Sequence, residues 1–171
     1  MNILQDLDNV LFIAKENGEY LVKDIPDKPL NMDLEINNII EKYQCLSWEE
    51  KHFINNNISI NLAWNLLSYS YKMAIYSLRS AEEMYFINGL VALSMTYQIL
   101  DGRELLRVLT LFYDVSNKHK FTFDKMLKHN GSFTEFLINF LKRPEEAKTI
   151  ECMGFIITKD KNNNIIYKNI L

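Results

Sequence analysis

Apolar residues recur at helical spacing along the middle of the chain, from Ser59 to Lys118. In the first part of this segment two apolar stripes follow steps of three and four residues, which places each stripe on one face of a helix. The stripes contain Ile60, Ala63, Trp64, Leu67, Tyr71, Ala74 and Leu78, and Leu62, Leu66, Tyr69, Met73 and Tyr76, and they leave a narrow polar strip of Asn61, Asn65, Ser68 and Lys72. A helix this apolar is expected to be buried on most of its sides.

The next run, from Met84 to Leu100, carries no charged residue. Ser80 and Glu83 precede it with the spacing of a capping box, which predicts a helix start there. A membrane span needs ~20 mostly apolar residues. This run is shorter, and it contains the polar residues Asn88, Ser94, Thr96 and Gln98. We therefore expect a core helix of a water-soluble domain, and no membrane span.

A third helix is predicted from Arg103 to Lys118, because Asp101 and Glu104 have the spacing of another capping signature. Its apolar face contains Leu105, Val108, Leu109, Phe112 and Val115. The connections at Ser80 and Asp101 are very short, so neighbouring helices are expected to be antiparallel. Residues 59–118 are therefore predicted to form a central three-helix core that encloses its middle helix.

The N-terminal segment, residues 1–58, is predicted to form acidic helices. Two amphipathic patterns cover Asn2–Asn17 and Met32–Tyr43. A third, short helix is expected to begin at a capping box over Ser47–Glu50 and to end near Ile54.

The C-terminal segment is predicted to contain further helices over residues 119–154. One helix is expected to begin at a capping box over Ser132–Glu135, after Asn130 and Gly131 end the helix before it. Another is expected to run from Pro144 to about Met153, since proline favours the first turn of a helix.

Residues 155–171 differ from the rest of the chain in composition. Phe155–Thr158 and Ile165–Lys168 are β-branched and aromatic, and the residues between them favour a turn, which predicts a β-hairpin. An isolated hairpin is only marginally stable, so we expect it to pack on the helices. The fold class is therefore predicted to be mainly α: a single-domain antiparallel helical bundle or short superhelix with a C-terminal β-hairpin.

Composition and charge limit the function classes. The chain has 171 residues, of which 48% are hydrophobic and 24% charged, as in an ordinary globular domain. Its net charge of −3 predicts no general attraction to nucleic acid. The charge is uneven, because residues 1–58 hold five Lys/Arg and eleven Asp/Glu, a net charge of −6. This acidic third is either a solvated face or a surface for a basic partner.

Residues that could carry catalysis or bind a metal are sparse. The histidines and the cysteines lie in no metal or redox spacing, so we expect no metal, no cofactor and reduced, buried thiols. Phosphate-binding glycine loops and hydrolase motifs are absent, which makes an enzyme the less favoured interpretation. The acidic N-terminus lacks the pattern of a signal peptide, so a cytoplasmic location is expected.

Several charged residues lie inside or beside the apolar runs. They are Arg79, Asp101, Arg103, Arg107, Asp114 and Arg143. A buried charge is costly unless it is paired, so these residues lie on the surface, form an internal network or line a ligand cleft. A cleft would suit an anionic ligand. Its candidate binding residues are Arg79, Asp101, Arg103, Arg107 and Arg143.

Two parts of the chain, Ala74–Leu111 and Phe136–Phe155, carry a set of short motifs. These are Arg79, Gly89-Leu90-Val91-Ala92-Leu93, Asp101-Gly102-Arg103, Phe140-Leu141-Lys142-Arg143-Pro144 and Met153-Gly154-Phe155. With them the chain resembles a small bacterial family of helical proteins with no assigned activity, which is loosely similar to cytosolic toxin-immunity proteins. The resemblance implies a helical fold with the same layout, and an association with immunity-type roles.

These observations favour non-catalytic protein binding, with neutralisation of a bacterial toxin as its most concrete form. The acidic N-terminal third would then meet a basic surface of the partner. The alternative is a binder of small anionic ligands, or an enzyme, with an arginine-lined cleft. A third interpretation is a structural subunit that acts only by forming homo-oligomers.

Overall fold

The structure, a computed structural model, describes residues 2–19, 25–100, 102–123 and 130–141, and the backbone of three short segments after them. It is mainly helical, as predicted. The helices are α1 (Ile3–Glu16), α2 (Asn31–Gln44), α3 (Trp48–Asn56), α4 (Ile60–Ser80), α5 (Glu83–Thr96), α6 (Gly102–His119) and α7 (Gly131–Leu141). The strands are β1 (Ile150–Cys152), β2 (Phe155–Lys159) and β3 (Ile165–Asn169).

The helices α4, α5 and α6 pack against one another. The rings of Tyr76 and Tyr85 lie 6.0 Å apart near the α4–α5 connection. Farther from it, the Ser70 hydroxyl donates to the Gly89 carbonyl at 2.7 Å. The contacting residue number falls from 76 to 70 on α4 while it rises from 85 to 89 on α5, so the two helices are antiparallel. α6 reverses direction again and runs parallel to α4, since Tyr71 meets Arg107 and Leu78 meets His119.

The middle helix, α5, is enclosed. Every residue from Asn88 to Thr96 is buried, including the polar ones. Ser94 and Thr96 satisfy their hydroxyls by donating to the carbonyls of Val91 and Leu93 in the preceding turn. The uncharged run is therefore the centre of the core, as the sequence predicted.

Gly89 marks the closest approach of the three central helices. A Cβ atom built at this position would lie 2.5 Å from Cζ of Phe112 on α6 and 2.8 Å from Cβ of Met73 on α4. Glycine inside a helix costs roughly 1 kcal/mol relative to alanine. Here that cost is offset, because only glycine lets α4 and α6 approach α5 from two sides.

Two predicted helix starts are confirmed. Ser47 and Glu50 form the expected reciprocal capping box at α3, with both hydrogen bonds at 3.2 Å. Ser59 caps α4 by accepting from the amide of Leu62 at 3.1 Å.

The capping box predicted at Ser80 is wrong. α4 continues through Ser80, whose hydroxyl donates back to the Tyr76 carbonyl at 2.7 Å. Ala81 then ends α4 in the left-handed conformation with φ 58°, and Glu82 is the N-cap of α5. Just before this end of α4, the Arg79 guanidinium donates to the Pro26 carbonyl at 3.0 Å.

The helix start predicted at Ser132 is also wrong. The Asn130 side-chain oxygen accepts from the amides of Ser132 and Phe133 at 3.1 and 3.3 Å, so Asn130 is the cap and α7 begins at Gly131. Asparagine caps a helix as well as serine does. The helix that Asn130 was predicted to end lies mostly outside the described residues. The Asn130 side-chain amide donates to the buried Ser94 carbonyl at 2.9 Å, which fixes Asn130 against α5.

Polar side chains connect α2 to the central helices. The Tyr69 hydroxyl on α4 donates to the side-chain oxygen of Asn37 on α2. Asn88 on α5 also donates to that oxygen, at 3.5 Å, and accepts from the Gln44 side chain at 2.8 Å. Because such bonds require specific partners, this network defines the register of α2 on the α4–α5 pair. Apolar residues of α2 complete the contact: Ile36, Ile39, Ile40 and Tyr43 are buried.

The three strands form an antiparallel sheet in the order β1-β2-β3. Cys152 pairs with Phe155, and Lys159 pairs with Ile165. The helix predicted from Pro144 lies mostly outside the described residues, and β1 replaces its last turn. The side chains of this region also lie outside the described part of the chain, so the packing of a hairpin on the helices stays a prediction.

We predict that Gly89→Ala lowers the free energy of unfolding by about 1–3 kcal/mol, the usual cost of overpacking a core. The matched control is Gly102→Ala, since a Cβ at Gly102 meets nothing within 4 Å. The control is expected to be neutral or slightly stabilising. Urea unfolding followed by circular dichroism measures both, and a Gly89→Ala variant as stable as the parent would contradict the close approach.

Candidate functional site

The structure separates the predicted cleft arginines. Arg79 is exposed at the end of α4 and donates to Pro26 near the start of α2. Arg107 is half-buried on α6, with its guanidinium carbon 5.6 Å from the centre of the Tyr71 ring. Tyr71 and Arg79 are eight residues apart on one helix, about 12 Å along its axis. The two arginines therefore do not share a cleft.

Arg107 lines a cleft of about 220 Å³ between α4 and α6. The buried carboxylate of Glu104 lines the same cleft, so it has no uniform positive charge. Arg103 is exposed in the first turn of α6. Asp101 and Arg143 lie outside the described residues, and ligand binding at this set of residues stays a prediction.

A larger groove lies between the N-terminal ends of α1 and α3. Its volume is about 550 Å³. We call it the acidic groove, and it is lined by Asn2, Ile3, Leu4, Leu46, Glu49, Glu50, Phe53 and Ile54. Ile3 and Ile54 are buried and form its floor, whereas the Phe53 side chain is 66% exposed. The groove thus combines an apolar floor, a prominent aromatic ring and two exposed carboxylates.

The charge of the acidic groove is fixed by the start of α3. Glu49 and Glu50 lie in the first turn, where the helix dipole favours negative charge. The hydrogen bond from the Ser47 amide to the Glu50 carboxylate lowers the pKa of that carboxyl below its usual value. Among the described residues that line the groove there is no basic side chain.

The sequence pattern did not single out Phe53, and it missed two exposed residues of α1. Phe12 and Ile13 are 65% and 57% exposed. Neither residue belongs to the apolar face that the sequence predicts for this helix, so each is a large apolar side chain off the buried stripe. That face consists of Ile3, Leu4, Leu7, Val10, Leu11 and Ala14. That mismatch is the signal that would have identified these surface residues.

A buried carboxylate lies on the inner side of α2. Asp33 is fully buried, and its carboxylate accepts from the Leu30 amide at 3.1 Å and lies 3.5 Å from Lys72 Nζ. Burial raises the pKa of Asp33 above 3.8, although Lys72 and the Leu30 amide oppose this shift. Asp33 also contributes to the raised pKa of the buried Tyr69 hydroxyl, which results mainly from desolvation.

The raised pKa of Asp33 predicts how stability changes with pH. Because the folded state penalises the ionised carboxyl, the folded protein binds a proton more readily than the unfolded chain does. Asp33→Asn removes this titration and keeps an acceptor for the Leu30 amide. We predict that the parent gains stability relative to Asp33→Asn as the pH falls from 7 towards 4. Paired urea unfolding curves measure this, and a constant difference between the two proteins would contradict it.

The described residues bring together no group of three or more His, Cys, Asp or Glu side chains able to hold a metal ion. Cys45 is a free thiol and is exposed, so the expectation of a buried thiol is wrong at this position. In the same part of the chain no helix has both the length and the apolar character needed to cross a membrane.

Comparison with known proteins gives no family for this chain: no protein-family model, curated protein or solved structure matches it. The class of the protein therefore rests on its own geometry. It is a mainly α-helical bundle with an acidic, partly aromatic groove on its N-terminal helices.

Proposed function

We propose that the protein is a non-catalytic binding protein whose partner docks on the acidic groove. The observation that carries this proposal is the position of Phe53, which is 66% exposed beside Glu49 and Glu50. Protein interfaces commonly consist of an aromatic anchor over an apolar floor, surrounded by a charged rim. The groove has each of these parts.

The charge of this surface favours a basic partner. Residues 1–58 carry a net charge of −6, from five Lys/Arg and eleven Asp/Glu. Opposite charges on the partner would accelerate association at low ionic strength, and salt would screen the attraction beyond about 8–10 Å.

The most concrete form of the proposal is a cytoplasmic immunity protein that neutralises a bacterial toxin. Its support is the resemblance of the motifs described above, together with the acidic groove as the surface that would cover a basic toxin. One of those motifs begins at Gly89, the residue on which the approach of the central helices depends. A second copy of the chain is the other partner that we retain.

The alternative function, binding or conversion of a small anion in an arginine-lined cleft, has weaker support. Arg107 provides a cation on an aromatic ring at the α4–α6 cleft. However, Glu104 lies in the same cleft and Arg79 lies elsewhere. Of the predicted arginines, the described lining of this cleft contains only Arg107, so the predicted set does not surround an anion there.

We predict that Phe53→Ala weakens binding to a basic partner at least ~30-fold, the effect of losing a residue worth about 2 kcal/mol. The partner to test is a toxin-like protein encoded beside this chain, measured by titration calorimetry at low and high salt. Glu49→Lys is expected to slow association and to reduce its salt dependence. Ile138→Ala, at a residue 37% exposed on α7, is the control. If Phe53→Ala and Ile138→Ala bind alike, the groove is not the docking surface.

We also propose that the C-terminal hairpin packs on the helices, with α6 as the neighbouring helix, because β1 and β3 lie beside it. A chain that ends at residue 154 is then expected to melt at least about 2–4 °C below the full chain, since ~1 kcal/mol shifts a domain of this size by that amount. Differential scanning calorimetry measures the shift. Equal melting temperatures would show that the hairpin contributes no packing.

A further inference from the structure

A second cavity, separate from the acidic groove, lies between α1, α2 and α4. Its volume is about 280 Å³. One wall is a stripe of α4 and the other is apolar. The α4 wall contains Trp64, Asn65, Ser68, Tyr69 and Lys72, and the apolar wall contains Leu11, Met32 and Ile36. We call it the Lys72 cavity.

The aromatic, polar and charged side chains of the α4 wall follow one another along the helix axis. Trp64 and Lys72 are eight residues apart, so the indole and the base of the lysine lie about 12 Å apart along α4. Asn65 and Ser68 lie between them and provide polar groups. Asn65, Ser68 and Lys72, which belong to the polar strip of α4, therefore line a cavity. The polar strip of a helix usually faces only solvent.

Lys72 supplies a largely buried positive charge. Its side chain is only 13% exposed, and its Nζ atom lies 3.5 Å from Asp33 Oδ1. Charge-assisted hydrogen bonds are usually ~2.7–2.9 Å long, so this pair is loose. An ammonium group has three N–H donors, and Asp33 uses at most one of them here. Among the described residues Asp33 is the acceptor recorded for Lys72 Nζ, so the remaining donors can reach a ligand in the cavity that Lys72 lines.

We propose that the Lys72 cavity binds a small amphipathic carboxylate. The ligand carboxylate pairs with Lys72, and the apolar body lies between Trp64 and the side chains of Met32 and Ile36. The single cation has Asp33 beside it, and the Glu19 carboxylate accepts from the Met32 amide at 3.1 Å, so the site favours a monoanion over a dianion such as a phosphate ester. The volume is just under the ~300 Å³ at which drug-sized pockets begin, which restricts the ligand to a small molecule. This proposal does not depend on the acidic groove.

The test uses three carboxylates, hexanoate, benzoate and indole-3-acetate, with their neutral amides as matched probes. Binding is followed by the indole N–H signals of Trp64 and Trp48 in proton–nitrogen correlation spectra. Trp48 on α3 is the internal reference, because it does not line the cavity. We expect at least one carboxylate to shift the Trp64 signal saturably and to bind at least ~10-fold more tightly than its amide, as a charged hydrogen bond implies.

Variants then assign the binding to Lys72. Lys72→Met is expected to remove the preference for carboxylate over amide, whereas Lys15→Met, at an exposed lysine of α1, is expected to keep it. Because Lys72→Met leaves Asp33 buried without its cation, Ser68→Trp provides a second test at an exposed position that lines the cavity. It is expected to block binding while the helical circular dichroism is retained. The proposal is overturned if no carboxylate saturates the Trp64 signal, if the amides bind equally well, or if Ser68→Trp binds as the parent does.

Discussion

The structure depends on the close approach of α4 and α6 to α5 at Gly89. The absence of a side chain there lets Phe112 and Met73 reach the backbone of α5 from two sides. The Phe86 ring of α5 also packs edge-to-face on Phe112 of α6, with ring centres 5.6 Å apart. Because the central helices meet so closely, the polar groups of α5 must be satisfied within the protein. Gln44 donates to the Asn88 side chain, and Ser70 and Asn130 donate to the backbone carbonyls of Gly89 and Ser94.

The N-terminal helices are added to this core through a different kind of contact. α2 meets α4 and α5 through buried amides, a tyrosine hydroxyl and the Asp33–Lys72 pair, in addition to apolar packing. Directional bonds of this kind define a register, and buried ionic pairs add little stability of their own. With α2 held in this way, its outer partners α1 and α3 leave two concave surfaces, the acidic groove and the Lys72 cavity. The acidic groove thus lies on the layer that is added to the core, and the Lys72 cavity lies between that layer and α4.

Much of the fold was predictable from the sequence, because apolar spacing over long helices is a strong signal. The enclosed position of α5 followed from its uncharged run. The ends near Ser80 and Ser132 were not predictable, because tertiary contacts decided them: Arg79 meets Pro26, and Asn130 meets the Ser94 carbonyl. The site was harder to predict for the same reason. Arg79 and Arg107 look alike in the sequence, but they have different neighbours, and the exposure of Phe53 depends on how α3 lies against α1.

The most direct test of this account is native-state hydrogen exchange of the α5 amides. If α5 is enclosed, the amides from Asn88 to Thr96 exchange only when the whole protein unfolds, so their opening free energy equals that of global unfolding. The amides of α1 are expected to exchange faster through local opening, because α1 carries exposed apolar residues and lies on the outer layer. Exchange from α5 as fast as from α1 would contradict the enclosed central helix, and with it the packing on which both proposed sites are built.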